Sequence, residues 1–176
     1  MNNMAVDFSA FKETLNTKQI EQMEKDYTAG NGQFSDVPSG MYPVEVVKME
    51  VSHQSGQYGD FDRLNIDFKI IDGDHKGQHI FYNGTFNNKI DSGYRASAQL
   101  LSQMTDGEVD ENSILFNLTQ DLSIAQEYVL ELFQAIQGKL SYDLNYTVQE
   151  QTKINPQTGQ PYKANRWFSI EEVYDM

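Results

Sequence analysis

The stretch FDRLNIDFKIIDGDHKGQHIFYNGTF, residues 61–86, holds two periodic runs around one turn. In its first half Leu64, Ile66, Phe68 and Ile70 alternate with Arg63, Asn65, Asp67 and Lys69. A period of two sends the first set to a buried face and the second to a wet one, which is the signature of a half-buried strand. DGDHKG supplies the Gly and Asp that tight turns demand, and residues 78–86 return as a partner strand. There the two faces compete: Ile80, Tyr82 and Phe86 against His79, Phe81 and Thr85.

Upstream, MYPVEVVKMEVS at 41–52 is β-branched and extended, and a loop carrying Gly56 and Gly59 joins it to the strand at 61–72. Three antiparallel strands in a meander follow. Downstream the period changes to helical, with Tyr94, Ala98, Leu101 and Met104 three or four apart. The acid-rich TDGEVDENS reads as a loop, and a second helix places Ile124, Tyr128, Leu132, Phe133 and Ile136 on one side before Gly138. Residues 139–152 alternate again, and 164–174 complete a hairpin around NPQTGQPY. At the other end Phe8, Phe11, Leu15, Ile20, Met23 and Tyr27 fit an amphipathic helix, followed by the polar linker TAGNGQFSDVPSG.

The expected organisation is an N-terminal helical arm and linker over 1–33, then a domain over 34–176 with a helical insertion at about 88–138. The expected class is mainly β with helical additions. Five strands with a helix between the third and fourth match a five-stranded OB-fold barrel, a fold that commonly binds oligonucleotides on strands 2 and 3.

Composition narrows the functions. A length of 176 residues suits one domain with appendages, and 39% hydrophobic with 22% charged residues is a globular composition. With no cysteine, a disulfide framework, a thiolate zinc site and a Cys nucleophile are excluded. His53, His75 and His79 lack metal-ligand spacing, and DGDHKG has neither the length nor the closing Glu of an EF-hand loop. A phosphate loop, a nucleophile elbow and an HExxH helix are likewise missing from the sequence. The expectation is a non-enzyme without metal or cofactor. MNNMAVDFSAF lacks the basic and apolar regions of a signal peptide, and no apolar window reaches membrane-span length, so a soluble intracellular protein without a membrane partner is expected.

The formal net charge of −13 counts against a polyanionic ligand, because nucleic-acid affinity draws on Lys and Arg at the phosphates. Charge is unevenly spread, however. Residues 139–167 carry Lys139, Lys153, Lys163 and Arg166 against Asp143 and Glu150.

The run FSDVPSGMYPVEVVKMEVSHQSGQYGDFDRLNIDFKIIDGDHKGQHIFYNGTF resembles a family of bacteriophage proteins long catalogued as of unknown function and associated with replication modules. The residues that carry the resemblance are Pro38, Gly40 and Tyr42 leading into the first strand, Gly56 and Gly59 in a Gly-rich loop, Ile71, Asp72 and Gly73, and then Lys76, Gly77 and Phe81. The resemblance covers residues 34–86 well and the C-terminal hairpin loosely. It implies an OB-fold, single-stranded-DNA-binding protein of phage origin, acting in the host cytoplasm during DNA replication or recombination.

Single-stranded DNA requires cations along the phosphates and aromatic faces for the bases. In the last strand Phe168 and Ile170 share the core face and Trp167 points away beside Asn165 and Ser169; Tyr142 and Tyr146 read as core tyrosines. The candidate nucleic-acid-binding residues are Trp167, Arg166, Lys163, Tyr162 and Lys153 at the C-terminal hairpin, Arg63, Lys69 and Phe61 on the wet face of the second strand, Tyr58 in the Gly-rich loop, and Phe81. Besides single-stranded DNA, phage or host replication and recombination proteins are expected partners, and the arm offers a surface for a homo-oligomer. The competing expectation is an acidic protein-interaction module that mimics DNA or inhibits a host replication or defence protein.

Overall fold

The computed structural model describes residues 37–56, 59–86, 92–162 and 164–176, which lie in one compact unit, Val37–Met176. The expected helical arm falls outside the described residues, as do Tyr58 and Lys163; of the expected linker only 37–40 is described, where Val37 is buried in the core and Gly40 already begins the first strand.

Five strands form one antiparallel sheet: β1 (Gly40–Gly56), β2 (Gly59–Ile70), β3 (His79–Phe86), β4 (Leu140–Gln149) and β5 (Asn165–Asp175). Their order across the sheet is β3-β2-β1-β4-β5. Between β3 and β4 come three helices, α1 (Ser92–Met104), α2 (Glu111–Leu118) and α3 (Leu122–Ile136). The mainly β class and the helical insertion match the expectation. The sheet is open, however: β3 and β5 are not hydrogen-bonded to each other, so the five strands do not close into the expected barrel.

Sequence periodicity does not mark α2, whose first three residues belong to the acid-rich TDGEVDENS expected as a loop. Asp110 caps it, its carboxylate accepting a hydrogen bond from the Asn112 N–H at 3.0 Å, and the short helix buries only Ile114 and Leu118. Eight residues with two buried positions give little helical period to detect. Asp121 caps α3 in the same way, accepting from the Ile124 N–H at 3.1 Å.

The inner face of the sheet is the core. Val44, Val46, Leu64, Ile66, Phe68, Ile70, Ile80, Tyr142, Leu144 and Tyr146 are buried there, with Leu101 and Met104 from α1 and Val129 from α3 above them. Full burial of each such aliphatic or aromatic side chain stabilises by roughly 1.5–3 kcal/mol. A bulge between Val46 and Lys48 lets β1 turn while Met49 and Val51 stay on the inner side. A second irregularity lies between Asp143 and Leu144 in the β4–β5 ladder.

Aromatic rings and α1 fill the gap between the two edge strands. Phe168 of β5 meets Tyr82 of β3 edge-on at 5.1 Å between centroids, lies 6.4 Å from Phe68 and 5.4 Å from Tyr146. α1 packs on both β3 and β5. On the β3 side it comes close enough that a Cβ on Gly93 would overlap the Thr85 carbonyl oxygen, and one on Gly84 would overlap Ser97 Oγ. On the β5 side the Ile170 N–H donates to Gln103 Oε1 at 2.9 Å.

Candidate nucleic-acid interface

Register decides which outward residues become neighbours. On β2, Arg63, Asn65, Asp67 and Lys69 point away from the core, because Leu64, Ile66, Phe68 and Ile70 are buried. They stand opposite Thr85, Asn83, Phe81 and His79 of β3. On the other side they stand opposite Ser52, Glu50, Lys48 and Glu45 of β1. The ambiguity in the third strand is thereby resolved: Ile80, Tyr82 and Phe86 are buried, and Phe81 lies outward and half-buried.

This face is polar and organised. The Arg63 guanidinium donates through Nε to Asn65 Oδ1 at 2.8 Å, and Asn65 Nδ2 donates to Ser52 Oγ at 2.8 Å. Gln54 reaches the same hydroxyl at 2.9 Å, so four side chains on two strands hold one another. His79 Nδ1 and Asp67 Oδ1 are 2.6 Å apart, and the His79 ring stacks on Phe81 at 6.0 Å with 14° between planes. Burial pushes the Asp67 carboxyl above its ordinary pKa, opposed by the hydrogen bond and charge of His79 and by the Lys48 ammonium. Lys48 also pairs with Glu50 at 3.1 Å, on the surface. Cations, amides and aromatic faces therefore alternate across β1, β2 and β3, with Glu45, Glu50 and Asp67 interspersed.

The outward face of the other half of the sheet differs. On β4 it shows Ser141, Asp143, Asn145 and Thr147, and on β5 Trp167, Ser169, Glu172 and Tyr174, with Glu171 at the irregularity. The Tyr174 hydroxyl donates to Asp143 Oδ2 at 2.7 Å, and Asn145 Nδ2 donates to Glu171 Oε1 at 3.4 Å. That bond to Asp143 is the main reason the Tyr174 phenol is raised above its ordinary pKa, with burial and the Asp143 and Glu172 charges adding to it. Trp167 is 51% exposed and sits opposite Thr147.

Arg166 does not share that face. It is out of phase with Trp167 by one residue, and its Nε donates to the Tyr146 hydroxyl at 2.9 Å, on the side where Phe168 packs. Tyr146, expected as a core tyrosine with its hydroxyl at a rim, is 1% exposed, and so is Tyr142.

The β4–β5 connection is a structured finger. Ile154 bridges Pro161, the Gly159 N–H donates to the Asn155 carbonyl at 2.9 Å, and Gly159 takes a φ of 70° that favours glycine. The Tyr162 N–H donates to the Lys153 carbonyl at 3.0 Å, so Tyr162 and Lys153, both exposed, are brought together.

Of the expected residues, the structure thus joins Arg63, Lys69 and Phe81 on one face, with Phe61 at its end opposite Gln54. It joins Lys153 and Tyr162 on the finger, and it separates Arg166 from Trp167. Lys48, His79, Asn65 and Asn83 were missed. His79 could have been found from its spacing of two before Phe81, whereas Lys48 comes into phase only through the β1 bulge.

Among the described residues no group of His, Asp and Glu is placed to hold a metal ion, and no helix is long and apolar enough to cross a membrane. No curated protein and no solved structure matches the chain. A family model described as a protein of unknown function (DUF669) matches residues 23–105, a region that runs through β1, β2, β3 and α1 and stops before β4 and β5.

Proposed function

We propose that this protein binds single-stranded DNA with weak sequence preference, as a phage protein that protects or organises exposed strand during replication or recombination. The observation that carries the reading is the outward face of β2 and β3, where Arg63 and Lys69 flank the half-buried ring of Phe81 and the half-buried ring of Phe61 lies beyond Arg63. Cations spaced along a strand track phosphates, and flat rings between them accept bases whatever their identity. Exposed Asn83 on β3 adds an amide that contacts bases or sugars without a strict code, whereas Asn65 opposite it is buried and held by Arg63 and Ser52.

The strand order β3-β2-β1-β4-β5 supports the reading, being that of an OB barrel opened between its third and fifth strands. In such a barrel the loops after β1 and β4 flank the binding face, so this reading assigns Lys153 and Tyr162 to the rim of the groove. Trp167 and Arg166 are left out of it, the first for its acidic surroundings and the second for its bond to Tyr146.

The test is fluorescence anisotropy of labelled oligo-dT at low and moderate salt. Binding should weaken steeply with salt as counterions are released, and Arg63→Ala combined with Lys69→Ala and Phe81→Ala should cost at least ~30-fold, given roughly 1–3 kcal/mol per stacked base. Absence of binding at low salt, or indifference to the triple variant, would overturn the proposal. The competing reading, an acidic module engaging a basic partner in place of DNA, expects that zero.

A further inference from the structure

The outward face of β4 and β5, continued onto the start of β1, has a composition of its own. Along β5 it runs Trp167, Ser169, Glu171 and Glu172, Tyr174; along β4, Thr147, Asn145, Asp143, Ser141; along β1, Met41, Pro43, Glu45. Three large side chains stand open on it: Trp167 at 51%, Met41 at 52% and Tyr174 at 46% exposure. None of these outward positions is Lys or Arg, and the nearest cation in register is Lys69 of β2, opposite Glu45 at the border of the face.

An open tryptophan, methionine and tyrosine on one sheet face mark an interaction surface, since Trp and Tyr are the commonest anchors of protein interfaces. Charge selects the occupant. Nucleic acid is repelled by Asp143, Glu171 and Glu172, with no Lys or Arg among the outward positions of β4 and β5 to offset them. A second copy of this chain would set acid against acid across a self-complementary contact, in a protein of net charge −13. A partner bearing Lys or Arg meets neither obstacle.

We infer that this face docks a basic, extended segment of another protein, with Trp167 and Tyr174 as the apolar anchors and Asp143, Glu171 and Glu172 as the counter-charges. From Thr147, opposite Trp167, to Ser141, opposite Tyr174, the strand runs about 20 Å at roughly 3.3 Å per residue, the reach of about six extended residues. The segment lies on the face and does not add a strand at the β5 edge, where the Ile170 N–H is already taken by Gln103. This inference does not depend on the nucleic-acid reading, which concerns β2 and β3.

Trp167 is the chain's one tryptophan, so its emission reports on this face without a label. The probe is a twelve-residue peptide alternating Arg and Leu, with a Glu-for-Arg version as control. Titration of the full chain should shift Trp167 emission with the Arg peptide and not with the Glu peptide, and oligo-dT should leave it unchanged. Glu171→Lys with Glu172→Lys should weaken the Arg peptide at least ~10-fold without altering oligo-dT anisotropy. The equal reversal Asp106→Lys with Glu108→Lys, in the loop after α1, should leave peptide affinity within about twofold. The inference is overturned if the Arg peptide leaves the emission unmoved, if both reversals weaken it alike, or if oligo-dT quenches Trp167 as the peptide should. Failure of oligo-dT binding alone would overturn only the proposed function.

Discussion

The outward face of this sheet has two halves made from the same kind of strand. Both alternate, both turn their apolar residues into one core, and both carry aromatics outside. On β2 and β3 the aromatics stand among Arg63, Lys69, Lys48 and His79, with carboxylates partly neutralised by close partners such as the one His79 gives Asp67. On β4 and β5 they stand among Asp143, Glu171 and Glu172 without a Lys or Arg. A total charge of −13 averages these halves and describes neither. Aromatic exposure alone therefore does not name a ligand; the sign of the neighbouring charge does.

The strongest way to break the contrast is to make the first half resemble the second. Arg63→Glu with Lys69→Glu should cost oligo-dT affinity on the order of 100-fold in anisotropy titrations, through lost phosphate contacts and added repulsion. Circular dichroism should show the fold intact, since both side chains lie on the wet face.

The β3 edge is next. Gly84→Ala puts a methyl where Ser97 Oγ and the Tyr82 hydroxyl now sit, and should lower stability by about 2 kcal/mol in urea unfolding. Under both halves, the Tyr142 hydroxyl is buried without a hydrogen-bond partner, and that burial raises its pKa. Tyr142→Phe should raise stability by about 1 kcal/mol, because an unsatisfied buried hydroxyl is removed and the ring retained.

Smaller effects sharpen the first half. Asp67→Asn removes a carboxylate that burial already disfavours, and should tighten oligo-dT about two- to threefold. At the end of the β1–β2 ribbon His53 lies 2.8 Å from Asp62 and 3.4 Å from Asp60. The Asp62 hydrogen bond is the main cause that raises the His53 pKa above 6.5, outweighing desolvation with help from Asp60. The folded state therefore favours His53 protonated. That stabilisation is fully present below the unfolded value, near pH 6.5, and disappears as pH rises through the raised folded one. Proton NMR should show His53 titrating above 6.5, and Asp62→Asn should bring it back toward that value.

Much of this architecture was legible in alternation. The run at 61–72 shows its two faces, and Tyr142, Tyr146, Phe168 and Ile170 read as inward, because a strict period of two leaves little choice; the exception is Asn65, on the outward side yet buried, with its amide held by Arg63 and Ser52. α2 was not legible, since two buried residues in one short helix make no period. Closure of the barrel was not legible either: element order says which strands exist, whereas hydrogen bonds between β3 and β5 depend on how α1 seats between them. The candidate site was harder still. Alternation would have separated Arg166 from Trp167, which are consecutive, yet local positive charge drew them together. Which strands carry acid beside which carry base emerges only from cross-strand register, and two irregularities in the ladders shift that register where Lys48 and Glu171 sit.

Gln103 gives the open sheet one more property. A sheet left unclosed has two bare edges, and a bare edge is a template on which another chain's strand can grow. On β5 the Ile170 N–H, a donor such growth would need, is held by a side chain from α1. Gln103→Leu would hand that donor back to the solvent and turn the strand into a growth point for aggregates, a fault that would appear as concentration-dependent light scattering long before any loss of ligand binding.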